Sequence, residues 1–233
     1  MFSVIFEVQP RPDRWETYLG IAKMLRPELE RVDGFVDNVR YRSLTREGWL
    51  LSLSGWRDEK ALVRWRTQAL HHDSQARGRD EVFVDYRLRV GEVIGDTRPP
   101  AGLDLREQRL DETATEIGTT VTLVDARRPA DWVKAAGAEE VARLLGLDPS
   151  AAGLLGWDVF DAVLTPGDII LLLWWRDRAA ARAFEIQAFE GKAALADGAR
   201  RRSVRVVRAY GMYDRREAPQ YYPDASGRPT RHA

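Results

Sequence analysis

The sequence predicts an α+β fold made of two tandem β-α-β-β-α-β units that together form one barrel. The first observation is an internal repeat. A Pro-x-x-Trp motif at residues 12–15 returns at 129–132, and Trp-Arg-Asp at 56–58 returns at 175–177, a nearly constant offset. The second observation is hydrophobic periodicity, which indicates strand, helix, strand, strand, helix and strand in the same order in each half. Two copies of one structural unit explain both observations.

Periodicity and turn residues place the first elements of the first copy. Apolar and polar residues alternate over residues 2–8, which predicts a strand. A helix is expected to begin at Pro12-Asp13 and to run to about residue 32, with Pro27 kinking or splitting it. Segments 35–44 and 49–56 flank a short loop that contains Gly48 and predict a β-hairpin.

The remaining elements follow the same order. Asp58 is expected to cap a second helix that runs unbroken to about residue 77, and alternation over residues 82–90 predicts a closing strand. In the second copy the predicted strands are 119–124, 157–164, 169–175 and 204–210, and the predicted helices are 131–145 and 177–196. The cationic run 200–202 then follows a helix, where positive charge suits the helix dipole.

These elements divide the chain into a first domain at 1–94, a polar linker at 95–117, a second domain at 118–213 and a tail at 214–233. In the tail, Tyr221 and Tyr222 are expected to pack on the barrel. The order β-α-β-β-α-β is that of the ferredoxin-like unit, a four-stranded antiparallel sheet with both helices on one face. Two such sheets bury their open faces by pressing together, so the tandem copies predict an intramolecular barrel.

Composition excludes several classes of function. Lys plus Arg and Asp plus Glu are 36 each, so the chain has no net charge with which to coat nucleic acid or an anionic membrane. There is no Cys, which excludes disulfides and thiol catalysis. We find no signal peptide, no dinucleotide, Walker or nucleophile-elbow motif, and no metal-ligand spacing. The longest apolar run, Ile169 to Trp175, is too short for a membrane helix. A cytoplasmic protein is therefore expected.

The first copy carries a more specific pattern. It reads Trp-Arg-Asp at 56–58, then Trp65-Arg66-x4-His71-x3-Gln75-x2-Gly78-Arg79, then Tyr-Arg-Leu-Arg-Val at 86–90. In these residues the chain resembles the antibiotic-biosynthesis monooxygenase-like family of the dimeric α+β barrel superfamily, and the second copy resembles it more weakly. The resemblance implies O₂ chemistry on a small-molecule substrate without flavin or metal, and it allows for a homodimer. The superfamily also includes haem-binding proteins.

The candidate site lies on the second helix of the first copy. His71 and His72 are the candidate catalytic bases, since imidazole titrates near neutral pH. Trp65, Gln75 and Arg79 are the candidate substrate-binding residues. At about 100° per residue along one helix, His72 falls within about 20° of Trp65, which favours His72 for the pocket. The family pattern instead matches His71, and sequence alone leaves both open.

Comparison of the copies supports a site in the first half. With the repeat aligned, Trp65 corresponds to Phe184, whereas the two histidines and Gln75 correspond to Glu190, Gly191 and Ala194. The second copy thus keeps the aromatic residue and loses the polar residues. Because packing needs are alike in both copies, either drift on a solvated face or an active site in the first copy explains the difference.

Three functions remain open. The first is a monooxygenase that binds a small aromatic or polycyclic substrate in a pocket of the barrel between sheet and helices, where a base removes a proton and the resulting carbanion reduces O₂. The second is haem binding, with His71 or His72 as the axial ligand. The third is a non-catalytic small-molecule-binding or structural barrel. A purely structural barrel predicts a collapsed interior without a cavity near Trp65.

Overall fold

The computed structural model describes residues 1–103, 105–128, 137–189 and 198–219, with the backbone alone described at 187–189. The strands are β1 (Phe2–Pro10), β2 (Phe35–Ser43), β3 (Leu50–Trp56), β4 (Phe83–Asp96), β5 (Thr120–Arg127), β6 (Leu154–Ala162), β7 (Asp168–Trp175) and β8 (Arg200–Gly211). The α-helices of the described residues are α1 (Trp15–Glu30), α2 (Glu59–Thr67), α3 (Ala69–Arg77), α4 (Ala138–Leu144) and α5 (Arg178–Phe189).

The strands form one closed antiparallel barrel in the order β1-β3-β2-β6-β7-β5-β8-β4. Strands β1 to β4 make one half and β5 to β8 the other, and each half keeps the strand order of a ferredoxin-like sheet. The predicted α+β barrel is therefore confirmed. In the described part of the chain, no helix has both the length and the apolar character that a membrane crossing requires.

The two seams between the halves differ in length. Strands β4 and β8 pair from Arg87↔Gly211 to Asp96↔Arg202. Strands β2 and β6 share only three residue pairs, from Tyr41↔Ala162 to Ser43↔Phe160. The long seam explains why β4 runs to Asp96 and not to residue 90 as predicted, since the added residues pair with a strand that is distant in sequence.

Alternation along the strands separates two apolar layers. One set of side chains, which includes Ile5 and Leu53, fills the barrel interior together with Phe160 and Ile170 of the second half. The opposite face of the first sheet is covered by α1 and α2, and the side chain of Phe2 packs there. The helices and the sheet therefore bury a second layer outside the barrel, and this layer holds the candidate site.

Of the two expectations for Pro27, a kink or a split in the first helix, the split is wrong. The helix α1 is continuous and contains Pro27, after a single 3₁₀ turn at Pro12–Arg14. Proline removes the hydrogen bond to the carbonyl of Lys23, and both residues are exposed. Water can therefore bond to this carbonyl, so the helix continues through Pro27.

The cationic run 200–202 lies in β8, which begins at Arg200 and not at residue 204 as predicted. Residues 190–197, where the preceding helix was expected to end, lie outside the described residues. Arg200 pairs with Asp96 at 2.6 Å, and Arg202 pairs with Asp125 at 2.7 Å. These cations thus join strands of the barrel. The predicted helices over 131–145 and 177–196 lie partly outside the described residues. Both tyrosines of the tail, Tyr221 and Tyr222, lie wholly outside them.

A buried carboxylate reinforces the short seam. Asp158 on β6 has no exposed surface and accepts hydrogen bonds from Ser43 at 2.9 Å and from Thr45 at 2.5 Å. Its other oxygen accepts from Arg46, with Nη2 at 2.6 Å, and Arg46 reaches on to Glu7 of β1 at 3.2 Å. The side chains that bind Asp158 in this network thus come from the first half of the chain, and they hold the second half at the short seam.

We expect Asp158→Ala to lower the free energy of unfolding by about 3 kcal/mol, because it leaves buried donors at the seam without their acceptor. Urea unfolding measures the loss. The matched control is Asp161→Ala on the same strand, whose carboxylate is 42% exposed and pairs with Arg128 at the surface. That change should cost less than about 1 kcal/mol. Equal losses in the two variants would contradict the role of the seam network.

Candidate functional site

The candidate pocket lies outside the barrel, between the first sheet and its helices. It encloses about 210 Å³ and is walled by apolar side chains that include Phe6, Leu62 and Trp65. The floor comes from the helix-facing residues of the strands and the roof from α1, α2 and α3. The barrel interior is filled by packed side chains, so this pocket is a gap in the outer layer.

A break in the predicted second helix shapes the pocket wall. Gln68 is extended, with φ −64° and ψ 131°, and separates α2 from α3. Its backbone N–H donates to the carbonyl of Trp65 at 3.2 Å and closes α2. Its side-chain oxygen accepts from the N–H of His71 at 2.9 Å and caps α3. One residue thus ends one helix and starts the next.

The break decides which histidine faces the pocket. His71 lines the pocket, whereas His72 is exposed and does not. The helical count that favoured His72 is wrong, because 100° per residue holds only along an unbroken helix and Gln68 leaves the helical conformation.

The ring of His71 is held in a defined orientation. It stacks on Trp65 with ring centroids 4.1 Å apart and an interplanar angle of 15°. Its Nδ1 lies 2.9 Å from the carbonyl oxygen of Trp65. A carbonyl only accepts, so Nδ1 carries the proton and Nε2 carries the lone pair in the neutral ring. The amide nitrogen of Gln75 lies 3.5 Å from this Nε2, at the limit of a hydrogen bond.

Burial lowers the pKa of His71 to about 4, against an ordinary value of 6.5. The hydrogen bond to Trp65 opposes this shift and the nearby His72 adds to it, but desolvation of the charged ring dominates. At neutral pH the ring is therefore uncharged, with a free lone pair on Nε2.

The predicted substrate-binding residues all border the pocket. Trp65 is buried and supplies an aromatic wall, and Gln75 and Arg79 line the same cavity. Arg79 lies in a π-helical turn that begins at Gly78. A side chain at Gly78 would meet the ring of Phe83 at 2.5 Å, so glycine allows the turn to pack on this pocket residue.

Several further polar residues line the pocket and were not predicted as site residues. Among them are Arg66 on α2 and Arg208 and Tyr210 on β8. Alternation in the last strand puts Arg208 and Tyr210 on one face, which was the available signal. That β8 lies beside β4, with Val90 opposite Arg208, emerges only from the closed barrel.

The second copy can be compared only in part. Phe184 packs on Trp175, with ring centroids 4.8 Å apart, in the position aligned with Trp65. Residues 190, 191 and 194, which align with the histidines and Gln75, lie outside the described residues. In the described chain, no cluster of three or more His, Cys, Asp or Glu residues could hold a metal ion.

Comparison with known proteins identifies relatives. A profile of the family "Antibiotic biosynthesis monooxygenase" matches residues 1–77. The jasmonate monooxygenase ABM of Pyricularia oryzae is 50% identical over 232 residues, which cover 97% of this chain and 100% of that protein.

Solved structures are more distant. A protein described as a candidate monooxygenase from Fusobacterium nucleatum is 11% identical, with a TM-score of 0.38 and coverage of 89% of this chain and 93% of that chain. An anthrone oxidase-like protein is 16% identical, with a TM-score of 0.32 and coverage of 93% and 95%. The family assignment rests on the relative that matches along the full length. The chain belongs to the antibiotic biosynthesis monooxygenase family.

Proposed function

We propose that this protein is a monooxygenase that oxidises a small, ring-bearing organic molecule in the pocket beneath α2 and α3, without flavin or metal. The observation that carries the proposal is the orientation of His71. Its Nδ1–H is bound to the carbonyl of Trp65, which leaves an uncharged Nε2 at the cavity as a proton acceptor.

Four of the five predicted residues have a role in this scheme. His71 accepts a proton from an acidified C–H of the substrate through Nε2. Trp65 holds the imidazole by stacking and forms the wall against which a flat ring packs. Gln75 and Arg79 donate hydrogen bonds to negative charge that develops as the proton leaves. His72 has no part, because its side chain is exposed.

The electron balance sets the class of substrate. A CH₂ group next to a carbonyl or an aromatic ring loses a proton to His71, and the carbanion reacts with O₂ to give a peroxide anion. The proton returns from His71 to this anion, and the hydroperoxide loses water to leave a carbonyl. The sum is R₂CH₂ + O₂ → R₂C=O + H₂O, in which the substrate supplies all the electrons.

The size of the cavity favours one or two rings over a polycyclic molecule. At about 210 Å³ it exceeds the roughly 150 Å³ that admits benzene and is smaller than the roughly 300–1,000 Å³ of sites for drug-sized ligands. The relative from Pyricularia oryzae is named for jasmonate, a carboxylate on a single ring. A single-ring organic acid is thus the substrate class that both observations support.

The haem alternative fits this pocket poorly because of its size. The haem macrocycle is larger than a drug-sized ligand, and sites for drug-sized ligands already exceed this cavity. A purely structural barrel predicted no cavity beside Trp65, and the cavity counts against it.

We expect His71→Ala to lower the rate of oxygen uptake by at least about 100-fold, because the proton acceptor is lost. The assay is oxygen consumption by purified protein with anthrone and with jasmonate, with and without an added reductant. His72→Ala is the matched control, and it should keep the uptake of the unchanged protein. Uptake that survives His71→Ala, or that requires the reductant, would contradict the proposed chemistry.

Stability should depend on pH through His71. Its pKa in the folded protein lies below the value of about 6.5 expected when unfolded, so the folded state binds fewer protons at acid pH. The contribution of the neutral His71 ring to the free energy of unfolding is complete above about pH 6.5 and is lost as the pH falls towards 4. Urea unfolding should therefore show a loss over this range that His71→Gln reduces. The control His72→Gln changes an exposed ring, and it should show the same loss of stability over this pH range as the unchanged protein. An identical pH dependence in His71→Gln would show that the ring is not desolvated.

A further inference from the structure

The pocket carries an excess of positive charge. Among the described residues that line it, one is acidic, Glu59, and six are arginines: Arg26, Arg40, Arg66, Arg79, Arg208 and Arg215. A small apolar cavity with this imbalance is suited to a negatively charged ligand. The arginines differ in whether the protein itself satisfies them, and this difference identifies the part of the pocket that is left for a ligand.

Two of the arginines have clear partners in the protein. Arg26 pairs with Glu30 at 2.7 Å, and the guanidinium of Arg215 hydrogen-bonds the hydroxyl of Tyr86. Arg40 lies within electrostatic reach of the hydroxyl of Tyr18, although its Nε is buried without an acceptor. These contacts anchor the cations to the pocket wall.

Arg66, Arg79 and Arg208 have no such partner, since within the described residues none of these guanidinium groups makes an ion pair or a side-chain hydrogen bond. Arg79 already has a role in the proposed function, and Nε of Arg66 is buried without an acceptor. The nearby acid, Glu59, is bound by Arg109 at 3.0 Å. Besides Arg79, two cations therefore border the cavity, Arg66 and Arg208, and no described carboxylate pairs with either of them.

This arrangement is unfavourable without a ligand. Burial lowers the pKa of Arg66, and repulsion from Arg208 lowers it further, while Glu59 opposes the shift. A partly buried charge without a counter-ion is less favourable than a paired one. Such local destabilisation is common where a binding site is kept ready for a ligand.

We propose that Arg66 and Arg208 form the subsite for the carboxylate of the substrate, so that the enzyme selects a small ring-bearing acid over its neutral ester. The inference rests on the proposed function for the identity of the pocket as the substrate site. Guanidinium groups suit a carboxylate because each can donate two parallel hydrogen bonds to its oxygens.

Tyr210 adds a third donor to the subsite. Its side chain lines the pocket, and its hydroxyl lies within electrostatic reach of Arg66, Arg208 and Arg215. Burial, the largest influence, raises the pKa of Tyr210, so the hydroxyl keeps its proton and can donate a hydrogen bond at neutral pH.

The subsite needs both halves of the chain. Arg66 comes from α2 of the first half, whereas Arg208 and Tyr210 come from β8 of the second. Strand β8 pairs with β4, which sets Arg208 opposite Val90 and Tyr210 opposite Leu88 on the face that the helices cover. The second half thus supplies the acid-binding side of a pocket whose proton acceptor belongs to the first.

The test compares the affinity of each acid with that of its methyl ester, by quenching of tryptophan fluorescence at low salt. The panel is jasmonate, phenylacetate and benzoate. We expect at least one acid to bind at least about tenfold more tightly than its ester, the value of one charge-assisted hydrogen bond. Arg66→Gln and Arg208→Gln should each reduce this preference to less than about threefold.

Arg64→Gln is the matched control. Arg64 lies on the same helix, is 46% exposed and pairs with Asp33, so its removal changes the net charge equally without touching the pocket. It should leave the preference for the acid intact. A fall equal to that in Arg66→Gln would show a general effect of charge and would overturn the subsite.

Thermal unfolding distinguishes a lost subsite from a lost fold. Arg66→Gln should have a melting temperature at or above that of the unchanged protein, and a bound acid should raise the melting temperature only when Arg66 is present. Equal affinities for acid and ester in the unchanged protein, no binding by any acid of the panel, or a preference that survives in both variants would overturn the proposal.

The proposed function and the subsite can fail separately. His71→Ala should keep the preference for the acid, because the ring is not part of the subsite. If that variant keeps both the preference and full oxygen uptake, the proposed chemistry fails and the subsite stands. If the unchanged protein shows uptake through His71 but no preference for acids, the subsite alone fails.

Discussion

One hydrogen bond, from Nδ1–H of His71 to the carbonyl of Trp65, fixes the chemistry available in the pocket. It exists because Gln68 interrupts the helix, which turns the ring of His71 onto the indole of Trp65. The bond places the lone pair on Nε2, and burial keeps the ring neutral. In a continuous helix, the carbonyl of Trp65 would accept a hydrogen bond from a backbone N–H of the next turn, and that turn would run in another direction. The break at Gln68 is therefore the feature on which the pocket, the orientation of the imidazole and the proposed reaction depend.

Barrel closure is the second constraint, and it connects stability with function. The two halves meet at a long seam, β4 with β8, and at a short one, β2 with β6. The long seam brings Arg208 and Tyr210 to a pocket that otherwise belongs to the first half. The short seam is reinforced by the buried carboxylate of Asp158. The two halves thus contribute differently, because the second half stabilises the barrel and adds positive charge to the pocket while the first half supplies the imidazole.

The sequence allowed prediction of most strands, since alternation and turn residues are local signals. The order of elements then predicted the barrel, and the resemblance predicted the family. Local signals could not predict the break at Gln68, because Trp65, His72 and Gln75 fit one helical pattern, and the capping role of the Gln68 amide emerges only in three dimensions. Nor could they predict Arg208 as a pocket residue, since its position depends on pairing with β4. The two errors have different causes, because the break at Gln68 depends on hydrogen bonds within three residues that hydrophobic periodicity does not encode, whereas the place of Arg208 depends on a nonlocal strand pairing.

The tautomer of His71 bears most directly on this description of the pocket. Nitrogen-15 chemical shifts of the imidazole in labelled protein at neutral pH report which ring nitrogen carries the proton, and the signals of this ring are identified by their loss in His71→Gln. The geometry predicts a neutral ring with the proton on Nδ1 and a bare Nε2. A proton on Nε2, or a doubly protonated ring, would contradict it, because the pocket would then hold no proton acceptor at that position.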